Sequence, residues 1–323
     1  MCIRDRIETL TLGVFNVWLG MNSLSGASQI SSILFMIVIV LLTLEYLGRR
    51  SRKFHEKYSG ASYTPTQTVS GVKNSLLFLI CLIPLSLGFI IPVSILLNFV
   101  IKGYSIINFI EIFQITLSSI SLAFISSSFI MLLSLLMIIV GAYKSNNFQK
   151  ILIFFASSGY AFPGTILAVG IVVFVGWLND LIYFRMSYAV GGFIILLFAY
   201  SIRFLAVGNG AITSGISRIH PNLLDASRTM GVSFFKSIRK IILPLLYTNL
   251  LVGGILVFVD ILKELPITLL LRPFNFETLA TYVYQYASDE MLEESAFAAL
   301  IIVIAGLGPV IFLNRTITKS IKN

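Results

Sequence analysis

The chain has 323 residues, 57% of them hydrophobic and only 11% charged. Soluble globular chains carry about 25% charged residues, so this composition excludes that class and indicates a polytopic membrane protein. The formal net charge of +9 would suit nucleic acid, but the basic residues are spread over short loops beside apolar segments, which argues against that partner.

A bilayer core takes about 20 apolar residues per helix. Seven segments qualify in chain order: Ser25 to Leu47, Leu76 to Ile101, Ile115 to Gly141, Ile151 to Trp177, Met186 to Val207, Ile241 to Val259 and Ala296 to Leu313. The sequence therefore reads as all-α with seven transmembrane helices. Pro163-Gly164 in the fourth segment predicts a kink within that span. The first six residues, MCIRDR, are charged and lead into Glu8 with no apolar run, so no cleavable signal peptide is read there. Cys2 and Cys81, the two cysteines, supply no disulfide framework and no metal-ligand spacing.

Orientation follows from the basic residues. With the N-terminus outside, segments 48–73, 142–150, 203–240 and 314–323 lie inside and hold 17 of the 23 Lys and Arg. Eleven of the 14 acids then lie outside. The N-terminus is expected on the periplasmic side and the C-terminus in the cytoplasm. The sequence also repeats itself. Glu8-Thr9-Leu10 matches Glu277-Thr278-Leu279, Val14-Phe15 falls on Val283-Tyr284, and Ala27 falls on Ala296, all at an offset of 269. Each copy precedes an outside-to-inside helix. Residues 1–60 thus read as the end of a first half, and 61–323 as a complete six-helix second half. A duplicated chain of this kind has five further helices upstream, so the sequence is expected to be the C-terminal part of a duplicated protein.

The polar stretch DASRTMGVSFFKSIRKIILP, residues 225–244, lies between two apolar segments. Pro221 suits the first turn of a helix, Asp225 its positive end, and Gly231 the left-handed residue that ends it. A second short basic helix, Ser233 to Lys240, would follow, with Leu243-Pro244 opening the next span. Helix, glycine turn and helix make a compact knob within 218–244. Leu223, Leu224, Met230 and Phe234 are its candidate apolar anchors, and Arg228 its candidate charged contact. On composition alone an ordinary basic loop would read the same way. The spacing is more specific: Asp225-Ala226-Ser227, three residues, Gly231, nine residues, then Ile241, Leu243 and Pro244. This resembles the EAA loop of binding-protein-dependent ABC importer permeases, with Asp225 in place of Glu and Ser227 in place of the second Ala. The resemblance implies that residues 225–244 couple the membrane domain to an ATPase.

No P-loop is present: Gly231 to Ser237 lacks the second glycine before Lys236, and Gly208-Asn209-Gly210 follows no strand. No catalytic constellation and no bound cofactor are expected, and ATP is assigned to a partner subunit. His55 and His220 have no ligand partners at metal spacing, and Asp180 with Arg185 reads as a turn ion pair. Asp260 to Glu294 is the second informative stretch. Lys263-Glu264 is either a pathway element or an interfacial ion pair. Asp289, Glu290, Glu293 and Glu294 either dock a basic partner or cation, or place negative charge at a helix start. Tyr282, Tyr284 and Tyr286 either form an aromatic belt or offer hard oxygen ligands. The run KELP-x-TLLLRPF-x-F-x-TLA, with Arg272 inside it, looks like the ferric-iron branch of the same permeases.

The resemblance thus implies an inner-membrane permease subunit forming the pathway of an ABC importer, with iron(III) as expected substrate. The partners it implies are an ATPase dimer, a periplasmic substrate-binding protein, a first permease half and the lipid bilayer. Candidate pathway or binding-protein contacts are Lys263, Glu264, Arg272, Asp289 and Glu290. Thiamine, a polyamine or a phosphonate are alternative substrates, and a secondary transporter is the alternative class. That class would need ionisable groups in mid-span, and the sequence reading finds almost none.

Overall fold

A computed structural model of the chain describes residues 9–50, 71–103, 108–143, 146–182, 188–219 and 222–322. Helices account for nearly all of them, and there is no strand among the described residues. In chain order the helices are α1 (Leu10–Phe15), α2 (Leu24–Arg50), α3 (Val72–Leu85), α4 (Ile91–Lys102), α5 (Phe109–Tyr143), α6 (Asn147–Ser158) and α7 (Gly164–Ile182). They continue with α8 (Tyr188–Ile216), α9 (Asn222–Thr229), α10 (Phe234–Ser237), α11 (Leu243–Leu262), α12 (Pro266–Leu271), α13 (Leu279–Ser288) and α14 (Leu292–Lys322). Among the described residues six stretches are long and apolar enough to cross a membrane, and seven if α6 and α7 count as one span. The chain is an all-α, multi-pass membrane protein.

In hydrocarbon every backbone N–H and C=O must find its partner inside the structure, which is why apolar segments of this length fold as helices. Proline disturbs that ladder, and this chain answers the disturbance in one way twice. A π-turn over Ser86–Ile90 precedes Pro92, and another over Ile238–Ile242 precedes Pro244. In each, the N–H two residues before the proline's successor reaches one residue further back than usual: Ile91 to the Ser86 carbonyl, and Leu243 to the Ile238 carbonyl. Widening the turn moves the carbonyls away from the proline ring, so α3 to α4 and α10 to α11 run on as continuous spans.

The bundle centre is α5, α8 and α11, which pack on one another. Their contact is dense because small residues face large ones. A Cβ on Gly253 would lie 2.8 Å from Ala211 Cβ and 2.9 Å from Met131 Cε, and one on Gly208 would collide with Ser134 Oγ. Small residues let helix backbones approach where no hydrophobic effect drives association in lipid. This packing also explains a difference from the sequence reading. The span expected to stop at Val207 continues as α8 to Ile216. Gly208-Asn209-Gly210 lies within that continued helix, where Asn209 is buried and donates to Ser157 Oγ at 3.2 Å.

The fourth span also differs from its expectation. Pro163-Gly164 does not merely kink one helix: α6 and α7 meet at 120°. The 19 residues of α7 reach about 28 Å and nearly span a bilayer core alone. The break is held open by backbone contact. A Cβ on Gly159 would overlap the Ile202 carbonyl of α8, and one on Gly164 would overlap the Arg203 guanidinium.

The N-terminal piece is integrated with the rest. α1 and α2 pack on α7, with Val14, Ala27 and Val169 forming a small buried cluster. Its shape repeats near the other end. Thr9 caps α1 by accepting from Leu12 N–H at 3.3 Å, and Thr278 caps α13 by accepting from Thr281 N–H at 3.4 Å. Both short helices end at a left-handed residue, Asn22 (φ 50°) and Glu290 (φ 65°), before α2 and α14 begin at Leu24 and Leu292. The caps lie 269 residues apart and the long-helix starts 268. The π-turn at Asn16–Gly20 takes up the extra residue, so Ala27 corresponds to Ser295 and not to Ala296.

Gly159→Ala is expected to cost on the order of 1–3 kcal/mol, because the obstacle is backbone and cannot swing aside. Gly170→Ala, with nothing within 4 Å of the new carbon, should be neutral. Thermal unfolding of the purified protein in detergent checks both, and equal behaviour of the two variants would refute the packing argument.

Candidate functional site: the 222–244 knob and its lever

The polar loop folds as a tight two-helix knob. Asp225 sits in the first turn of α9, where a carboxylate complements the positive helix end. Gly231 takes φ 77°, and Val232 N–H reaches back over it to the Ser227 carbonyl at 3.1 Å. That left-handed closure carries a steric penalty for any residue with a Cβ. Ser227 then accounts for its own departure from Ala. Its hydroxyl and that of Ser237 are both buried and 2.7 Å apart, clasping α9 to α10. Each hydroxyl carries one proton, so one serine donates across the clasp while the other donates to a carbonyl of its own segment, Leu224 for Ser227 or Ser233 for Ser237.

The exposed apolar groups differ from those expected. Leu224 is buried in the bundle core and Phe234 is half-buried, so neither is free to anchor a partner. Met230 (74% exposed) and Phe235 (82%) project outward, with Leu223 beside them. The sequence reading missed Phe235; its place next to an inward Phe234 was the available signal, since adjacent helix residues face different ways. Ala226 is exposed on α9. The Arg228 side chain, Pro221, His55, His220, Cys2 and the Asp180–Arg185 pair lie outside the described residues.

From the knob one apolar helical stretch runs Phe234–Leu262, 29 residues long, or about 44 Å. Ile241 and buried Ile242 lie in its π-turn, and Leu243 and Pro244 open α11. Its far end corrects the expected Lys263–Glu264 pair. Lys263 Nζ turns back to Asp260 at 2.9 Å. Glu264 is buried and pairs instead with Arg203 of α8, Nη1 to Oε1 3.4 Å. Glu264 Oε1 also accepts from Ile267 N–H at 3.3 Å, and its carbonyl accepts from the Thr268 hydroxyl at 2.7 Å. Thr268 Oγ1 lies 2.5 Å from the buried Tyr200 hydroxyl. A charge was therefore missed in the sequence. Arg203 belongs to mid-span Gly192–Ile216, not to the cytoplasmic loop in which it was counted. It went unseen because a span ended at Val207 puts it near a boundary.

The 260–294 stretch is not a solvated loop. α12 packs on α7 and α8, and Ile267, Leu271 and Leu279 are buried. Arg272 donates from Nη1 to Glu277 Oε1 at 3.1 Å, the Phe276 carbonyl at 3.4 Å and Thr281 Oγ1 at 3.4 Å, stapling the turn before α13. Tyr282 and Tyr286 are close neighbours, ring centroids 4.5 Å apart, while Tyr284 contacts Phe15 instead. The three tyrosines thus do not converge. Burial, with the Tyr286 hydrogen bond, pushes the Tyr282 hydroxyl above the ordinary phenol value, away from the phenolate a hard cation needs. Asp289 and Glu290 are exposed at the turn after α13, whereas Glu293 and Glu294 sit in the first turn of α14. No group of three or more His, Cys, Asp or Glu gathers among the described residues.

Ser227→Ala and Ser237→Ala should each lower stability by about 1 kcal/mol, and the double variant by less than their sum. Arg203→Met leaves Glu264 buried without its cation, at a cost of about 3–5 kcal/mol. Adding Glu264→Gln should recover part of that loss. Thermal unfolding in detergent reads both cycles; strict additivity in either would dissolve the pair concerned.

Comparison with known proteins supplies the wider frame. The family model described as the binding-protein-dependent transport system inner membrane component matches residues 138–323. Among curated proteins, the chain is similar to the Fe(3+)-transport system permease protein FbpB 2 of Haemophilus influenzae, 24% identical over 316 residues. That match covers 95% of this chain and 60% of the relative, so the chain spans less than two thirds of the relative's length. Among solved structures, it shares its fold with a bacterial ABC transporter involved in the import of the acidic polysaccharide alginate. The TM-score is 0.58 at 16% identity, over 76% of this chain and 95% of that one. With more than half its length matched by the family model, this chain belongs to the family of binding-protein-dependent transport system inner membrane components.

Proposed function

We propose that this chain forms part of the translocation pathway of an ABC importer, is driven by a separate ATPase dimer, and carries iron(III) delivered by a periplasmic binding protein. The observation that carries the coupling role is the knob. Its turn is closed over Gly231, its two helices are clasped by Ser227 and Ser237, and Met230 and Phe235 are exposed at its tip. An exposed apolar pair beside basic Lys236, Arg239 and Lys240 suits a groove on a partner. The iron assignment draws on the likeness to the Fe(3+) permease along nearly the whole chain.

In this reading the bacterial inner membrane holds the chain with residues 9–20 and 279–291 on the outer side, Glu264 within the membrane beside Arg203, and the knob and C-terminus in the cytoplasm. α6 and α7 together make the fourth crossing, broken at Pro163-Gly164 beside Arg203 and Glu264. Residues 1–60 close one permease half and 61–323 form the second, as the matching caps and turns of α1–α2 and α13–α14 support. ATP closes the ATPase dimer and displaces the knob. The 234–262 helical stretch carries that displacement into the membrane, to Glu264 beside Arg203. There the Arg203–Glu264 contact ties α11 to α8, and Gly164 seats α7 against the same pair. Two arrangements of one bundle are thus biased from opposite faces, by ATP within and by the loaded binding protein without.

The transporter, assembled with its ATPase in proteoliposomes, is expected to hydrolyse ATP faster when the binding protein carries iron(III). Stimulation by a thiamine-loaded, polyamine-loaded or phosphonate-loaded protein alone would keep the importer and replace its substrate. Gly231→Pro cannot adopt φ 77°, because the pyrrolidine ring fixes φ near −65°. That variant should insert normally and lose the stimulation; full stimulation would remove the knob from the coupling role.

A further inference from the structure

Phe15 and Tyr284 meet edge to face, ring centroids 5.6 Å apart and planes at 81°. They are also counterparts. Phe15 stands six residues after the cap Thr9, and Tyr284 six residues after the cap Thr278. Contact between counterparts is what a two-fold axis passing between the copies produces, whereas copies related by translation bring unlike positions together. The neighbouring counterparts do not meet. Val14, one residue earlier, turns into the cluster with Ala27 and Val169, while its counterpart Val283 packs in a different cluster with Leu279 and Tyr282.

We infer that Phe15 and Tyr284 mark a pseudo-two-fold axis and form the outer gate of the pathway upon it, an inference that rests on the importer reading. In repeat-built transporters the substrate route lies at the interface between repeats. The axis is the one line that both repeats border equally. Two half-buried rings in contact there leave no passage for a hydrated or polar cargo, which is how apolar constrictions close. Both rings sit on the short helices α1 and α13, each followed by a left-handed turn, so they ride on elements that can tilt without breaking a long span. Opening the gate separates the rings.

The test uses the assembled transporter with its ATPase and binding protein, after Cys2→Ser and Cys81→Ser replacement. In a Phe15→Cys/Tyr284→Cys variant, a short bifunctional thiol reagent should link the two positions in the nucleotide-free state, read by mass spectrometry of the joined peptides. Trapping with ATP, vanadate and loaded binding protein should cut the yield at least ~10-fold. The Val14→Cys/Val283→Cys pair should not link in either state. Should the cysteine pair fail to assemble, Tyr284→Ala and Tyr284→Phe provide the second reading. Losing the ring contact should raise ATP hydrolysis in the absence of binding protein roughly three- to tenfold, and keeping the ring should not. Linkage at the valines, a yield indifferent to trapping, or equal hydrolysis by the two Tyr284 variants, with normal stimulation of the unsubstituted transporter, would overturn the gate alone. Absent stimulation of the unsubstituted transporter would overturn the importer reading, and the gate with it.

Discussion

The Arg203–Glu264 pair is the constraint on which the arrangement of the bundle turns. A guanidinium in the middle of an apolar span is costly without a counter-charge, and the carboxylate that meets it comes from the far end of α11. That requirement draws the 263–271 segment inward. Lys263 is turned back to Asp260, α12 is pressed between α7 and α8, and Thr268 reaches the Tyr200 hydroxyl. It also fixes the residue at the start of α7, because only a glycine at 164 leaves room for both charged groups. One pair of opposite charges therefore sets the contacts of three helices and explains why a helix break stands at Pro163-Gly164.

Such a pair gives little net stability, because the cost of desolvating both ions offsets most of their attraction. Its value lies in specificity of arrangement. Glu264 Oε1 faces Arg203 Nη1 at 3.4 Å and also accepts from Ile267 N–H, so one carboxylate oxygen holds α8 and the start of α12 together. The knob is built differently. Its Ser227–Ser237 clasp and its Gly231 turn are local and complete, which makes it a compact, self-contained unit.

Much of this was legible in the sequence where a single residue imposes a conformation. Gly231 stands at the one position of the loop with positive φ, Pro244 opens a span, and Thr9 and Thr278 cap matching helices. The spans were legible because hydrocarbon thickness dictates length. What escaped depends on pairing across the chain. Arg203 and Glu264 are 61 residues apart in sequence, and nothing local marks either as the other's partner. The loop 260–294 reads as solvated because its charges are conspicuous, while its burial arises from α7 and α8, which no local pattern reveals. Pro163-Gly164 announced a bend, but its size came from the close contact of Gly159 with the α8 backbone.

The register of the repeat carries the last step. Identical offsets would have suited a simple copy, yet the two short helices differ by one residue, absorbed in the Asn16–Gly20 π-turn. Inserting a residue in a straight helix rotates everything beyond it by about 100°. Confining it to a wide turn after Phe15 leaves that ring in register with Tyr284 and lets α2 start with the geometry of α14. The irregularity falls outside the stretch from cap to ring in both copies, where symmetry has a physical task, and inside the stretch where helix packing alone decides. The asymmetry thus sits beyond the Phe15–Tyr284 contact, where the two copies can differ without moving that contact.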